Sequence, residues 1–140
     1  MTAPESRTGE LTRLDIGDDK DVVRVRQAVR LAAVAAKLPL VDQTKLVTAA
    51  SELARNTLIH GGGGYALVGG VHNGRRAGVR AEFVDSGPGI ADLDLAFTDG
   101  YTTGSGLGLG LSGSRRLVDE FDIETAPGTG TRIAVTKWAR

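Results

Sequence analysis

Glu52 and Asn56 stand four residues apart in Ser51-Glu52-Leu53-Ala54-Arg55-Asn56, inside a segment whose apolar residues recur at helical spacing. On a helix that spacing brings a carboxylate and a carboxamide to one face. The carboxylate can take a proton from a hydroxyl, and the amide oxygen suits a hard cation such as Mg²⁺. The same pair also suits a solvated helix face, so alone it assigns no chemistry. Asp85-Ser86-Gly87-Pro88-Gly89-Ile90 follows an apolar run that ends at Val84. An Asp there can accept a hydrogen bond from an exocyclic amine, while Gly87 and Gly89 let a flat ring approach the backbone. It can equally close an Asx-type turn. The third feature is Gly104-Ser105-Gly106-Leu107-Gly108-Leu109-Gly110-Leu111. Its glycines free N–H groups to surround phosphate oxygens, and a helix following them adds its dipole. The apolar Leu107, Leu109 and Leu111 set it apart from a plain linker. It is neither the GxGxxG dinucleotide fingerprint nor the GxxxxGK[ST] phosphate loop.

The elements that must position these groups read as follows. Leu11–Ile16 suggests a short edge strand, and Val22–Leu38 a helix with its apolar stripe on Val22, Val25, Val29, Ala32, Ala33 and Ala36, stopped by Pro39. Asp42–His60 is a second helix, ended by Gly61-Gly62-Gly63-Gly64. Tyr65–Val71 and Gly78–Val84 are strands around the hairpin signal Asn73-Gly74. Asp92–Phe97 suggests a short helix, residues 99 to 110 a loop rich in Gly, Thr and Ser, and Leu111–Glu120 a helix. Phe121–Thr125 and Thr131–Trp138 are strands joined by Pro127-Gly128-Thr129-Gly130. The order β-α-α-β-β-α-β-β predicts an α/β two-layer sandwich: a mixed, mainly antiparallel sheet with helices on one face.

Composition narrows the function classes. The chain has 140 residues, the size of one domain with a core of its own, expected over residues 11–140 behind a disordered tail at 1–10. Seventeen basic residues balance 17 acidic ones, which excludes a nucleic-acid binder working through a broad basic field. There is no cysteine, hence no disulfide, thiol nucleophile or Cys-ligated metal. No apolar run approaches the ~20 residues of a membrane span, and the first residues lack the apolar centre of a signal peptide. The expected setting is cytoplasmic, with neither nucleic acid nor membrane as a partner. Of 20 glycines, 16 fall between Gly61 and Gly113, so backbone shape matters most there.

Taken together and in this order, the motifs resemble those of the GHKL ATPase/kinase family. SELARN is similar to its N-box, DSGPG to its first glycine box, GSGLGLG to its second, and Gly128-Thr129-Gly130-Thr131 to its last glycine–threonine turn; the resemblance spans roughly residues 10 to 138. Within the family the chain most resembles the small bacterial switch kinases of the RsbT type, which are related to the RsbW and SpoIIAB anti-sigma kinases. SELARNTLIHGGGG, DGYTTGSGLGLGL and the ending GTGTRIAVTKW carry that likeness. Leu109 and Ser112 depart from the usual residues of that group, and neither change removes a backbone donor.

The resemblance implies ATP and Mg²⁺ as cofactors. It implies Glu52 as general base and Asn56 as Mg²⁺ ligand. Asp85 would be the acceptor for the adenine amine, with Gly87 and Gly89 shaping that pocket. Gly104, Gly106, Gly108 and Gly110 would lie around the phosphates, and Thr131 would meet adenine directly or through water. One of Arg115 and Arg116 would approach the phosphates; Arg55 and His60 read as surface and structural residues, and Trp138 as core. The implied activity is a serine/threonine protein kinase acting on a STAS-domain antagonist and then engaging a PP2C-type phosphatase in a partner-switching stress response. The alternative is an anti-sigma factor that sequesters a sigma factor.

Overall fold

The computed structural model describes residues 9–90, 97 and 110–140. The helix expected over Asp92–Phe97 and, apart from Gly110, the loop expected over 99 to 110 lie outside the described residues, as does the tail up to residue 8. Phe97 alone is described between them. The remaining chain runs β1 (Thr12–Ile16), α1 (Asp19–Ala35), α2 (Leu40–Ile59), β2 (Gly64–Asn73), β3 (Arg76–Asp85), α3 (Gly110–Arg116), β4 (Glu120–Ala126) and β5 (Gly130–Trp138). The strands form one sheet in the order β1-β2-β3-β5-β4, and every pairing is antiparallel.

One sheet face carries Ala66, Val68, Val79, Ala81, Phe83, Ile133 and Val135, and these form a single core with the apolar stripes of α1 and α2. Period-two alternation along β2, β3 and β5 puts these side chains on that face. Leu46, Leu53, Val25 and Val29 meet them from the helices, each essentially without solvent exposure. Side chains of this size each contribute about 1.5–3 kcal/mol by leaving water. α2 lies between α1 and α3 and contacts both. The other sheet face carries charges. Arg80 Nε donates to Glu82 Oε2 and Arg132 Nη2 donates to Glu82 Oε1, both at 2.9 Å, while Arg132 also reaches Glu124 at 3.6 Å.

Several boundaries differ from the sequence reading. α1 ends at Ala35, before Pro39 is reached. Lys37 adopts φ 64°, its N–H donates to Val34, and the Leu38 N–H donates to Ala33. This is a Schellman cap, completed by the buried Leu38. Pro39 instead precedes the first turn of α2, where a residue without an N–H costs nothing. α1 begins earlier than expected because Asp18 and Asp21 form a reciprocal capping box. In the β2–β3 hairpin Asn73 pairs with Arg76, so the two turn residues are Gly74 and Arg75, with Gly74 alone at positive φ. That is the type II′ pattern, where Gly takes the first central position. Finally, α3 stops at Arg116 because the sheet claims the residues beyond it. Asp119 N–H donates to Thr136, its carboxylate accepts the Trp138 N–H, and Trp138 Nε1 donates to Glu120.

Candidate functional site

α2 supplies Glu52 and Asn56. Its buried side, with Leu46, Ala50, Leu53, Ala54 and Thr57, faces the core, which leaves Glu52 and Asn56 half-buried one turn apart. Neither side chain has a hydrogen bond or ion pair among the described residues. Polar groups that are half-withdrawn from water usually find partners within the protein. Two left together without them make a place where a ligand can supply the partners. The Asn56 amide oxygen is a hard donor, and one such oxygen suits Mg²⁺, which keeps several waters and takes phosphate oxygens besides. Among the described residues no group of three or more His, Asp or Glu could hold a metal ion.

Asp85 ends β3 on the helix-facing side of the sheet, paired with Gly64 of β2 and Thr131 of β5. Its Oδ1 accepts the Gly87 N–H at 2.9 Å, so the Asx turn is present. The turn is compatible with a ligand role, because among the described residues only one carboxylate oxygen is used and the turn fixes where the other points. The residues after Asp85 are clamped from two directions. On one side the end of α2 closes with Gly61 N–H donating to Asn56 O at 3.2 Å. Gly61 then lies against both Asp85 and Gly87: a Cβ on Gly61 would collide with the Asp85 carboxylate, and one on Gly87 would come within 2.8 Å of Gly61 Cα. On the other side Gly128 N–H donates to Pro88 O at 2.7 Å and Ile90 N–H donates to Thr125 Oγ1 at 2.9 Å. Gly89, at φ 77°, sits against the Ala126 carbonyl, where any side chain would clash.

The structure therefore brings Asp85, Gly87, Gly89 and Thr131 together with the C-terminal end of the helix that carries Glu52 and Asn56. Gly110 opens α3 beside α2, and its carbonyl accepts a hydrogen bond from buried Ser114. Gly104, Gly106 and Gly108 lie outside the described residues. The guanidinium of Arg115 stacks over the Phe97 ring at 4.3 Å, and Phe97 meets Phe121 edge-on. Trp138 is core, 3% exposed. Sequence reasoning missed two residues. In sequence Gly61 reads only as a helix terminator, although its neighbour in space is Asp85. In sequence Thr125 reads only as the end of a strand, although it joins Ile90 to the β4–β5 hairpin. The run of four glycines signals a turn there but not which of them lies against Asp85. Nothing local marked Thr125.

A two-layer α/β sandwich with a glycine-lined strand end beside the second helix is the class that this sheet and helix pair define. Residues 41–139 match the family described as histidine kinase-, DNA gyrase B-, and HSP90-like ATPase, and the chain belongs to that family. ATP use comes with it. Within the family the chain is a homologue of a serine/threonine kinase. It is 40% identical over 120 residues to serine/threonine-protein kinase RsbT of Bacillus subtilis (strain 168), covering 86% of this chain and 90% of that one. It is 31% identical over 116 residues to anti-sigma F factor of Thermoanaerobacter sp. (strain X514), covering 77% of this chain and 80% of that protein. The crystal structure of the RsbU and RsbW domains of a Mycobacterium tuberculosis protein superposes with a TM-score of 0.62 at 21% identity. That match covers 95% of this chain and one third of the solved chain (33%), and bears on the fold alone. Among the described residues no helix is long and apolar enough to cross a membrane.

Proposed function

We propose that this protein, acting as a single catalytic unit over residues 11–140 in the cytoplasm, transfers the γ-phosphoryl group of ATP to a serine or threonine hydroxyl of a STAS-domain antagonist. It then engages a PP2C-type phosphatase in a partner-switching stress response. The observation that supports this most is the pairing of Glu52 and Asn56, half-buried on α2 and without side-chain partners among the described residues, with a clamped Asp85 at the neighbouring strand end. The 40% identity to RsbT, over nine-tenths of that kinase, favours the partner class.

In this reading Asp85 accepts the adenine amine with its remaining carboxylate oxygen. Gly87 and Gly89 leave the ring room to approach, and Thr131 meets it directly or through a water. Gly104, Gly106, Gly108 and Gly110 surround the phosphates with backbone N–H groups. Asn56 holds Mg²⁺, which when bound neutralises charge on the phosphate oxygens. Glu52 takes the proton of the attacking hydroxyl. Positioning and charge stabilisation dominate phosphoryl transfer, so the chain needs little beyond these groups.

The likeness to anti-sigma F factor supports a second reading, in which the protein sequesters a sigma factor and phosphorylates an anti-anti-sigma protein. One experiment separates the two. The protein is incubated with γ-labelled ATP, Mg²⁺ and a STAS-domain protein, with phosphopeptide mapping, and in parallel is tested for capture of sigma factors and PP2C phosphatases. Labelling of a STAS serine or threonine with phosphatase capture supports the first reading. Sigma capture without phosphatase capture supports the second. No labelling of any STAS protein overturns the kinase assignment.

A further inference from the structure

Three hydrogen-bond contacts converge on the Thr125 hydroxyl. It donates to Gly130 O at 3.0 Å, receives the Ile90 N–H at 2.9 Å, and lies 2.9 Å from Thr131 Oγ1. A threonine hydroxyl has one proton and two lone pairs. Its proton goes to the Gly130 carbonyl, and one lone pair takes the Ile90 N–H. The third contact can then be made only if Thr131 is the donor. That assignment saturates Thr125, and it also commits the single proton of Thr131. What Thr131 presents to its other neighbours is therefore an oxygen with lone pairs and no hydrogen. Its strand partner across the pairing is Asp85, whose carboxylate likewise only accepts.

We infer that Thr125 is a positioning and specificity-determining residue: by holding the Thr131 proton it turns the Asp85–Thr131 pair into a surface of acceptors alone. This rests on the proposal that Asp85 and Thr131 meet the nucleobase. Such a surface takes an exocyclic amine, directly or through a water that donates to both. It rejects a base with a carbonyl at the same position, because two acceptors then face a third with no proton between them. A site built of fixed hydrogen-bonding groups discriminates far more strongly than an apolar one, since mismatch leaves buried groups unpaired. If Thr131 could rotate and donate, the carbonyl would gain a partner and the discrimination would narrow. Thr125 touches no nucleotide in this scheme. It acts through Thr131, while its bond to Ile90 holds the loop after Asp85 in line with both.

The test is calorimetric titration of the whole protein with Mg·ATP and with the inosine triphosphate, which carries a carbonyl in place of the amine. Thr125→Val keeps the shape and removes the hydroxyl. The expected result is a loss of ATP affinity of about tenfold with a smaller loss or a gain for the inosine nucleotide, so that the ratio of affinities falls by about tenfold or more. Thr125→Ser, which keeps the hydroxyl, should restore the ratio, and it keeps the test decisive if the valine variant folds poorly. Thr131→Val supplies the second control. In that background Thr125→Val should leave the ratio unchanged, since two residues acting through one hydroxyl are non-additive. A wild-type ratio retained by Thr125→Val, or one lost equally in Thr125→Ser, overturns the inference while leaving the adenine site standing. A wild type that binds both nucleotides equally overturns the adenine site and the inference with it.

Discussion

Two regions of this sheet are built from the same kinds of side chain and use them in opposite ways. On the face away from the helices, Glu82 is held by Arg80 and Arg132, and Arg132 extends the network to Glu124 across three strands. Both Glu82 oxygens are occupied, and its side chain is only 13% exposed. At the end of the other face, Asp85 uses one oxygen for a turn, and Glu52 and Asn56 use none of their side-chain atoms within the described structure. The first region is closed: its polar groups satisfy each other, and they stabilise the sheet. The second has donors and acceptors to spare and is enclosed by glycines that bring no side chains of their own. Charge alone does not separate a binding site from a structural network. The count of unused hydrogen-bonding positions does.

The open region should respond most severely at Glu52. Glu52→Gln keeps the volume and loses the basic oxygen, so nucleotide binding should persist while phosphoryl transfer to the partner falls by about 10²-fold or more. Calorimetry and single-turnover labelling measure the two separately, and near-normal labelling would remove Glu52 from the role of base. Asp85→Asn comes next. It sets an amide where an acceptor met an amine, a mismatch of about 1–3 kcal/mol, or roughly tenfold to a hundredfold in ATP affinity. Thermal stability should change little, because the carboxylate's one internal bond, to Gly87, can be kept by the amide oxygen.

The closed region should answer in the opposite manner, in stability and not in nucleotide affinity. Burial pushes the Glu82 carboxyl upward, but the Arg80 hydrogen bond and the charges of Arg132 and Arg80 outweigh it, so the group sits below its ordinary value. A carboxyl lowered in the folded state stabilises the fold fully above its unfolded value, and that contribution is lost as pH falls through the folded one. Urea midpoints of the wild type should thus fall on acidification below the ordinary glutamate range. Glu82→Gln should cost about 1–2 kcal/mol at neutral pH and fall less steeply with acid, with ATP affinity unchanged. An equally steep acid limb in the variant would assign the loss to other groups.

The smallest effect is expected away from both regions. Lys37 holds φ 64° at the end of α1, a conformation that favours glycine. Lys37→Gly should raise stability by about 0.5–1 kcal/mol, or about 2–4 °C in the melting midpoint, with both nucleotide affinity and the acid limb untouched.

Most of the architecture was legible because it is written in local terms. The stripe Leu46, Val47, Ala50, Leu53, Ala54 defines α2, alternation defines β2, β3 and β5, and turn residues mark both hairpins. The motif positions of Glu52, Asn56, Asp85, Gly87 and Gly89 were equally readable, and the structure sets Asp85, Gly87 and Gly89 against the C-terminal end of the helix that carries the other two. What was not legible depends on neighbours distant in sequence. The shortening of α3 follows from Thr136 and Trp138 claiming Asp119. The end of α1 follows from a buried Leu38 that makes a left-handed lysine worthwhile. Thr125 looks like any strand threonine until Ile90 and Gly130 are set beside it, and Gly61 like any terminator until Asp85 is.

The four glycines after α2 are identical letters with unequal genetic fates. Every single-base change in a glycine codon that alters the residue installs a Cβ or more. At Gly62 such a change meets open space, although the positive φ restricts which residues are comfortable there. At Gly61 every such change drives atoms into the carboxylate of Asp85. A library of random point mutations selected for nucleotide binding should therefore recover Asp at Gly62 and nothing at Gly61. The gap would open within a run that, as plain text, offers no reason to treat one letter differently from the next.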